Sequence, residues 1–253
     1  MQSDVSSQLL CPGCSAAFVP EQKFCTACGQ RSVFNRKAER VKDQQEQRNL
    51  SFLLAYGLVS FVLLTINLLI EENTLPLLVV VTVIFAVIDV VFAFLQPEVW
   101  KLLLPGKLQL KPLLLIIGFA LLSAIIVSVF NEALEDALDS YSLPTLHYFE
   151  GYPFKLGFAI LLIAVCPAIF EELAFRGFVY TNFQKLSNKS AAIYGSAFLF
   201  GLVHFSLLSL YWIIPFGIIL AKFREKYNTI FYGIIGHFTH NAIVVLLEYY
   251  RYI

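Results

Sequence analysis

Residues 156–178 read LGFAILLIAVCPAIFEELAFRGF, and this stretch indicates the class of the fold. It is long and apolar enough to cross a bilayer as one helix. Its last third nevertheless carries two glutamates and an arginine, which hydrocarbon penalises unless the charges have partners or a function. We therefore expect a membrane protein whose functional residues lie inside its transmembrane segments.

The composition extends this interpretation to the whole chain. Of 253 residues, 58% are hydrophobic and 14% are charged, against roughly 45–50% and about 25% in soluble domains. Together with a mean hydropathy of +0.72, these values exclude an ordinary soluble enzyme, a disordered chain and a nucleic-acid binder. Eighteen basic residues balance eighteen acidic ones, so no net charge selects an anionic partner. The polar N-terminus predicts no cleavable signal peptide.

Apolar segments near the length that crosses a bilayer follow residue 50, and they predict an all-α polytopic protein with about seven transmembrane helices. The predicted spans are residues 50–70, 75–95, 112–130, 156–178, 190–206, 208–222 and 228–249. The fifth and sixth spans are short, and their boundary is placed at Ser206–Ser209.

Charge asymmetry orients these spans. Lysines lie in the connection 96–111, and basic residues also follow the fourth and sixth spans. The intervening turns carry acids instead, such as Glu71 and Glu72. Because basic connections stay in the cytosol, we expect a cytosolic N-terminus and a C-terminus outside.

The N-terminal head has a metal-binding pattern. It carries two Cys-x-x-Cys knuckles separated by ten residues, formed by Cys11, Cys14, Cys25 and Cys28. Two such knuckles close a tetrahedral four-sulfur site that suits structural zinc, whereas two disulfides or four free thiols are the alternatives. We predict a zinc ribbon over residues 1–30, with Gly13 and Gly29 supplying the open backbone of the knuckles.

A charged linker follows the ribbon. Residues 31–49 are polar and helix-permissive, and six of these nineteen residues are Lys or Arg. We interpret the segment as a solvated juxtamembrane linker that can touch anionic headgroups. For the ribbon itself we expect recruitment of a protein partner, with metal sensing and simple anchoring as alternatives.

Polar side chains inside the predicted spans mark the candidate functional site. They are Asn67, Asp89, Glu171, Glu172, Arg176, His204, His237, His240 and Asn241. Seven of these nine fall in the last four spans, so the second half of the chain holds the site. A transporter with a proton relay would also carry such residues, but it predicts inverted repeats, and the sequence shows no such symmetry.

The fourth span holds the motif Glu171-Glu172-x-x-x-Arg176. Glu172 and Arg176 are four residues apart on one helix face, with the acid N-terminal to the base, the better order for an ion pair. Glu171 is turned about 100° away from Glu172 and suits a general base. A structural Glu–Arg latch between helices is the alternative interpretation.

Histidines supply the second and third motifs. His204 follows Phe200 by four residues, and a lone histidine in an apolar helix is most often an interhelix hydrogen-bonding residue. His237 and Asn241 are also four apart on one face, so two donors can converge on one small group. His240 lies about 60° from His237 and is secondary. The two histidines could hold a metal, but a catalytic zinc would need a third ligand.

The three motifs together resemble the CPBP intramembrane proteases, the Abi/CAAX group that includes the CAAX prenyl endopeptidases. The family pattern is complete and in order as Glu171-Glu172-x-x-x-Arg176, Phe200-x-x-x-His204 and His237-x-x-x-Asn241. The resemblance covers about residues 150–250. It implies a four-helix core there, with accessory transmembrane helices over residues 50–130.

By this resemblance the protein is an intramembrane endopeptidase that hydrolyses a membrane-associated or lipidated protein. The implied catalytic residues are Glu171, His204, His237 and Asn241. The first two would activate a water, the last two would donate to the oxyanion, and Glu172 and Arg176 would hold the site together. This mechanism needs no metal, with a catalytic zinc as the alternative. The competing hypothesis is a non-catalytic scaffold or immunity-type protein that uses the cavity for binding.

Overall fold

The structure, a computed structural model, describes residues 9–18, 24–31, 33–70, 74–104, 106, 108–139, 145–204 and 206–251. Within these ranges seven long helices form an all-α polytopic membrane protein, as predicted. They are α1 (Val33–Leu69), α2 (Leu75–Phe94), α3 (Leu110–Leu138), α4 (Lys155–Leu186), α5 (Lys189–Leu202), α6 (Leu210–Tyr227) and α7 (Phe231–Arg251). Short 3₁₀ turns cover Val99–Leu102, Thr145–Phe149 and Leu207–Ser209. The predicted turn residues Glu71 and Glu72 lie outside the described residues.

Four of the described helices are long and apolar enough to cross a membrane. They are Arg40–Leu69, Leu75–Phe94, Leu110–Ala137 and Lys155–Leu186. The remaining helices are shorter or more polar, since α5 has only 14 residues and α6 ends in the charged run 222–226. A helix of 14 residues is about 21 Å long, less than the ~30 Å of hydrocarbon. These helices therefore need neighbouring helices to shield their ends and polar residues from the hydrocarbon.

The first helix begins at Val33 rather than at residue 50, so most of the predicted linker is helical and continues into the first span. The reason is that residues 33–49 contain neither glycine nor proline, and nothing in them breaks a helix. By contacts, the chain divides into two compact units, Met1–Ser51 and Phe52–Ile253.

The first unit contains a small ribbon. β1 (Leu9–Leu10) and β2 (Ala17–Phe18) pair antiparallel around the first knuckle. A single bridge between Phe24 and Arg31 encloses the second knuckle in the same way. The head is thus two similar turns, as expected for paired Cys-x-x-Cys motifs.

α4 alternates between α-helical and π-helical geometry. Its π-helical segments are Ile160–Val165 and Glu172–Val179, and its α-helical segments are Lys155–Ala159, Cys166–Glu171 and Tyr180–Leu186. π-helical turns inside α-helices are frequent at functional sites. Here the second one begins at Glu172, so the motif of the fourth span lies at the change of geometry.

A buried hydrogen bond joins the accessory helices α1 and α2. Tyr56 donates its hydroxyl to Asp89 Oδ1 at 2.9 Å, and Asp89 is only 3% exposed. An interhelix hydrogen bond of this kind is one way to keep a carboxyl group inside a membrane. This contact accounts for the acid that lies outside the three motifs.

Replacing Tyr56 with phenylalanine should lower the midpoint of thermal unfolding in detergent. The substitution leaves Asp89 buried without its donor, which costs about 1–3 kcal/mol. Tyr211→Phe is the matched control, because that hydroxyl is exposed and its bond to Asn131 is long, 3.4 Å. Equal midpoints for the two variants would show that the Tyr56–Asp89 bond adds nothing to stability.

Candidate active site

Charged residues of α4 meet a histidine of α7 in the core of the second unit. Arg176 Nη1 donates to Glu172 Oε1 at 2.7 Å, and His237 Nδ1 lies 3.2 Å from the same oxygen. Glu172 and Arg176 are fully buried, and His237 is 4% exposed. The structure thus forms the ion pair that the four-residue spacing predicts, and adds His237 to it.

The Arg176 guanidinium has two further contacts, whereas its Nε has no hydrogen-bond partner among the described residues. Its Nη2 donates to the backbone carbonyl of Gly217 in α6 at 3.3 Å, and its Cζ lies 4.2 Å from the centre of the Phe200 ring in α5. A guanidinium over an aromatic face gains a cation–π attraction that grows when water is excluded. One arginine therefore contacts residues of α5 and α6 as well as its own helix.

Glu171 faces a different environment from its neighbour. Its side chain is 30% exposed, and its Oε2 lies 3.9 Å from His237 Nε2. Among the described residues that oxygen has no hydrogen-bond partner. The angle of about 100° between successive residues of a helix therefore separates a fully buried, ion-paired Glu172 from a partly exposed Glu171 whose buried Oε2 has no hydrogen-bond partner.

His204 lies in a turn and not inside a helix. The prediction of a fifth span to residue 206 is wrong, since α5 ends at Leu202. The physical reason is local: His204 Nδ1 lies 2.8 Å from the Phe200 carbonyl, where a continuing helix would place the backbone N–H of the same residue. Since a carbonyl only accepts, this contact puts the proton on Nδ1 and leaves Nε2 as the acceptor.

The imidazole of His204 is exposed, but an aromatic ring connects it to the buried cluster. Its centroid lies 4.9 Å from the centroid of the Phe200 ring, and the His237 ring lies 5.8 Å from the same phenyl group. Phe200 thus separates the two histidines and contacts both of them.

Asn241 contacts the backbone of α4. Its Nδ2 donates to the carbonyl of Ile163 at 2.9 Å. Pro167 follows Ile163 by four residues and has no N–H to donate to it, so the amide supplies a donor where proline removes one. An asparagine amide has two N–H groups, which leaves one of them for another acceptor.

The other candidates lie away from this cluster. His240 Nδ1 is 2.7 Å from Ser123 Oγ of α3, and its ring stacks on Trp212 at 5.1 Å. These contacts place His240 between α3 and α6. Asn67 is exposed near the end of α1, and Asp89 is bonded to Tyr56.

The comparisons with known proteins bear on this same region. Residues 153–243 match the family model described as type II CAAX prenyl endopeptidase Rce1-like. This part of the chain is similar to the Rce1-like family. The resemblance predicted from the three motifs is thereby confirmed, since all their residues fall within the match.

A curated relative also matches part of the chain. The UPF0177 protein YbdI of Lactococcus lactis subsp. lactis (strain IL1403) is 31% identical over 119 residues, which are 47% of this chain. The chain spans 58% of the length of that relative. No solved structure matches the chain.

Sequence reasoning missed two glycines of the Rce1-like core. A Cβ atom on Gly233 would lie 2.4 Å from Glu172 Oε2, and one on Gly217 would lie 3.2 Å from Arg176 Nη2. The distance at Gly233 is too short for any Cβ atom, whereas at Gly217 the guanidinium would have to shift by a few tenths of an ångström. Gly233 precedes His237 by one helical turn, and that spacing is the signal that could have revealed it.

Gly233→Ala should therefore lower the thermal stability of the protein and displace the Glu172 carboxylate, because the new methyl group cannot share its space. Gly118→Ala on α3 is the control, since a Cβ atom there meets nothing within 4 Å and alanine favours helix by about 0.5–1 kcal/mol. Unfolding midpoints in detergent compare the two variants. A Gly233→Ala midpoint equal to that of the control would contradict the packing.

The N-terminal head presents a separate candidate metal site. The sulfur atoms of its four cysteines, Cys11, Cys14, Cys25 and Cys28, lie within 4.8 Å of one another. The closest pairs, Cys11–Cys28 and Cys14–Cys25, are 3.6 Å apart. A tetrahedral zinc with Zn–S bonds of about 2.3 Å would place its sulfurs about 3.8 Å apart. The cluster has the size for one metal ion, and all its thiols are free rather than joined as disulfides.

The backbone of the two knuckles explains this convergence. Cys11 N donates to Ala16 O at 2.9 Å, and Cys25 N donates to Gln30 O at 2.8 Å. The residue before each acceptor is left-handed, Ser15 with φ 56° and Gly29 with φ 71°. Gly29 supplies the open backbone as predicted.

The prediction for Gly13 is wrong, since its φ is not among the positive values. A Cβ atom on Gly13 would instead lie 1.7 Å from the side-chain oxygen of Gln30, so this glycine makes room for a side chain. In the other knuckle the N–H groups of Cys28 and Ala27 lower the pKa of the Cys25 thiol to about 7. Hydrogen bonds to sulfur favour the thiolate, the form that binds metals.

The purified protein should carry one metal ion per chain, and Cys25→Ser should lose it, because three sulfurs no longer close the tetrahedron. Cys166→Ser is the control, since this fifth cysteine lies in α4. Elemental analysis of both variants checks the prediction. Metal retained at full occupancy by Cys25→Ser would exclude the cluster as the site.

Proposed function

We propose that the protein is an intramembrane endopeptidase that hydrolyses a peptide bond of a membrane-associated or lipidated protein. The observation that carries the proposal is the position of Glu171. Its carboxylate is partly exposed, and its buried Oε2 has no hydrogen-bond partner among the described residues and lies beside the Glu172–Arg176–His237 cluster. The match to the Rce1-like family supports peptide hydrolysis in the same region.

Glu171 is the proposed general base. It would take a proton from a water that attacks the scissile carbonyl, with His204 as the second group that activates this water. The contact of His204 Nδ1 with the Phe200 carbonyl leaves Nε2 free to accept a hydrogen bond, which supports this role. The assignment of the pair follows the family resemblance.

His237 and Asn241 are the proposed donors to the oxyanion of the tetrahedral intermediate. They lie one turn apart on α7, and the bond from Asn241 to Ile163 fixes its amide while leaving one N–H available. A donor of this kind contributes about 3–4 kcal/mol to catalysis. Glu172 and Arg176 would hold the α4 and α7 residues in position.

The favoured mechanism uses no metal at the membrane site. Among the described residues, the group whose ligand atoms lie close enough to share an ion is the four-cysteine cluster. A catalytic zinc would have to draw in His204 as a ligand beside Glu171 and His237, and it is kept as the alternative.

For the head we propose structural zinc, a cytosolic location and recruitment of a protein partner. Four cysteine sulfurs suit zinc, and the lysine-rich connections between spans support a cytosolic N-terminus with the C-terminus outside. Removal of residues 1–30 should reduce substrate turnover in cells if the head recruits. Unchanged turnover would exclude recruitment.

Glu171→Gln should abolish cleavage, because an amide cannot accept the proton of the attacking water. Membranes from cells that express wild type or variant at matched levels would be compared by quantitative terminal proteomics. Glu132→Gln is the control, since Glu132 is half-exposed and pairs with Arg251. New termini should appear with wild type and the control but not with Glu171→Gln. If no terminus depends on Glu171 while a wild-type phenotype survives its substitution, the region around Glu171 is a binding site of a non-catalytic scaffold or immunity-type protein.

A further inference from the structure

We propose that His237 is an imidazolium ion that protonates the leaving amine, in addition to contacting the oxyanion. This inference rests on the proposed function, since it assigns a proton donor to the same hydrolysis. It follows from the charges around the ring, from the proton that each ring nitrogen must carry and from the position of Glu171.

With Glu171 ionised, as a general base must be, a second cation balances the charges of the cluster. Glu171 and Glu172 bring two negative charges, and Arg176 brings one positive charge. Buried charge is costly unless it is paired, and His237 contacts both carboxylates, at 3.2 Å through Nδ1 and 3.9 Å through Nε2. A protonated His237 makes the group of four neutral.

The hydrogen-bond geometry leads to the same charge. Glu172 Oε1 already accepts from Arg176 and can offer His237 only another acceptor site, so Nδ1 must carry a proton. A histidine with its single proton on Nδ1 has a bare Nε2 that cannot donate. For Nε2 to donate to an oxyanion or an amine, the ring must hold both protons.

The other groups that face the His237 ring do not compete for its two protons. Phe200 and Phe216 contact it with their aromatic rings at centroid distances of 5.8 Å. Arg176 is tied to Glu172 and to the Gly217 carbonyl. His240, the next histidine on α7, is bonded to Ser123 and is not needed as a partner.

The proposed step balances in atoms and charge. Water adds to the scissile carbonyl carbon while one of its protons passes to Glu171. As the C–N bond breaks, the nitrogen takes the Nε2 proton of His237, and an amine leaves. Glu171 then returns its proton to Nε2, which lies 3.9 Å away, so the site regains its initial state. The products are one carboxylic acid and one amine, with one water consumed.

The test separates proton transfer from oxyanion contact by the leaving group. A peptide covering a Glu171-dependent cleavage site would be made as the natural amide and as a thioester at the scissile bond. A thiolate leaves without being protonated because its conjugate acid has a pKa of about 8.5. His237→Gln retains an amide donor for the oxyanion but has no proton to transfer.

His237→Gln should slow amide cleavage about 10²–10⁴-fold, the usual contribution of a general acid. For the thioester, the loss of rate caused by the same substitution should be at least about tenfold smaller than the loss for the amide. Equal losses on both substrates would overturn the proposal and leave His237 with an oxyanion or structural role. Wild type that cleaves neither substrate would instead refute the proposed function.

A second measurement avoids any folding defect of the variant. With wild-type protein, the D2O solvent isotope effect on amide cleavage should exceed that on thioester cleavage, because only the amide nitrogen takes a proton as the bond breaks. Equal isotope effects on the two substrates would also overturn the proposal.

Discussion

The structure of the membrane core depends on placing one guanidinium where there is no water. Arg176 is fully buried, and an unpaired charge there would be prohibitive. Its ion pair with Glu172, its bond to the Gly217 carbonyl and its contact with Phe200 compensate for the lost hydration. Removing one partner of such a pair typically costs about 3–5 kcal/mol, so helices α4, α5 and α6 are held in register by this requirement.

The need to pair Arg176 also gives two adjacent glutamates different environments. Glu172 Oε1 contacts Arg176 and His237 in the buried cluster, while the Glu171 side chain is 30% exposed. Each carboxylate keeps one buried oxygen without a hydrogen-bond partner among the described residues. A structural carboxylate and a reactive one can therefore stand side by side on one helix. The absence of a side chain at Gly233 lets α7 approach the Glu172 carboxylate closely.

Helices outside the Rce1-like match contribute to the order of the core. Ser123 of α3 holds His240, one turn from His237, and the Tyr56–Asp89 bond joins α1 to α2. Within α4, the donor that Pro167 lacks is replaced at the Ile163 carbonyl by Asn241. Residues far apart in sequence thus satisfy polar groups that hydrocarbon would otherwise leave unpaired.

The sequence alone determined the membrane class, the helix count, the paired knuckles and the Glu172–Arg176 pair, because hydrophobic length and four-residue spacing are local properties. The prediction that His204 lies inside a helix is wrong. The prediction that Gly13 is needed for its open backbone is also wrong. The end of α5 depends on the hydrogen bond of the His204 side chain to the Phe200 carbonyl. The glycine at position 13 is required by the nearby side chain of Gln30. The contacts of His237 with both glutamates and of Asn241 with α4 become visible only in the folded protein. These contacts join residues on different helices, and helix packing, not sequence spacing, sets their distances.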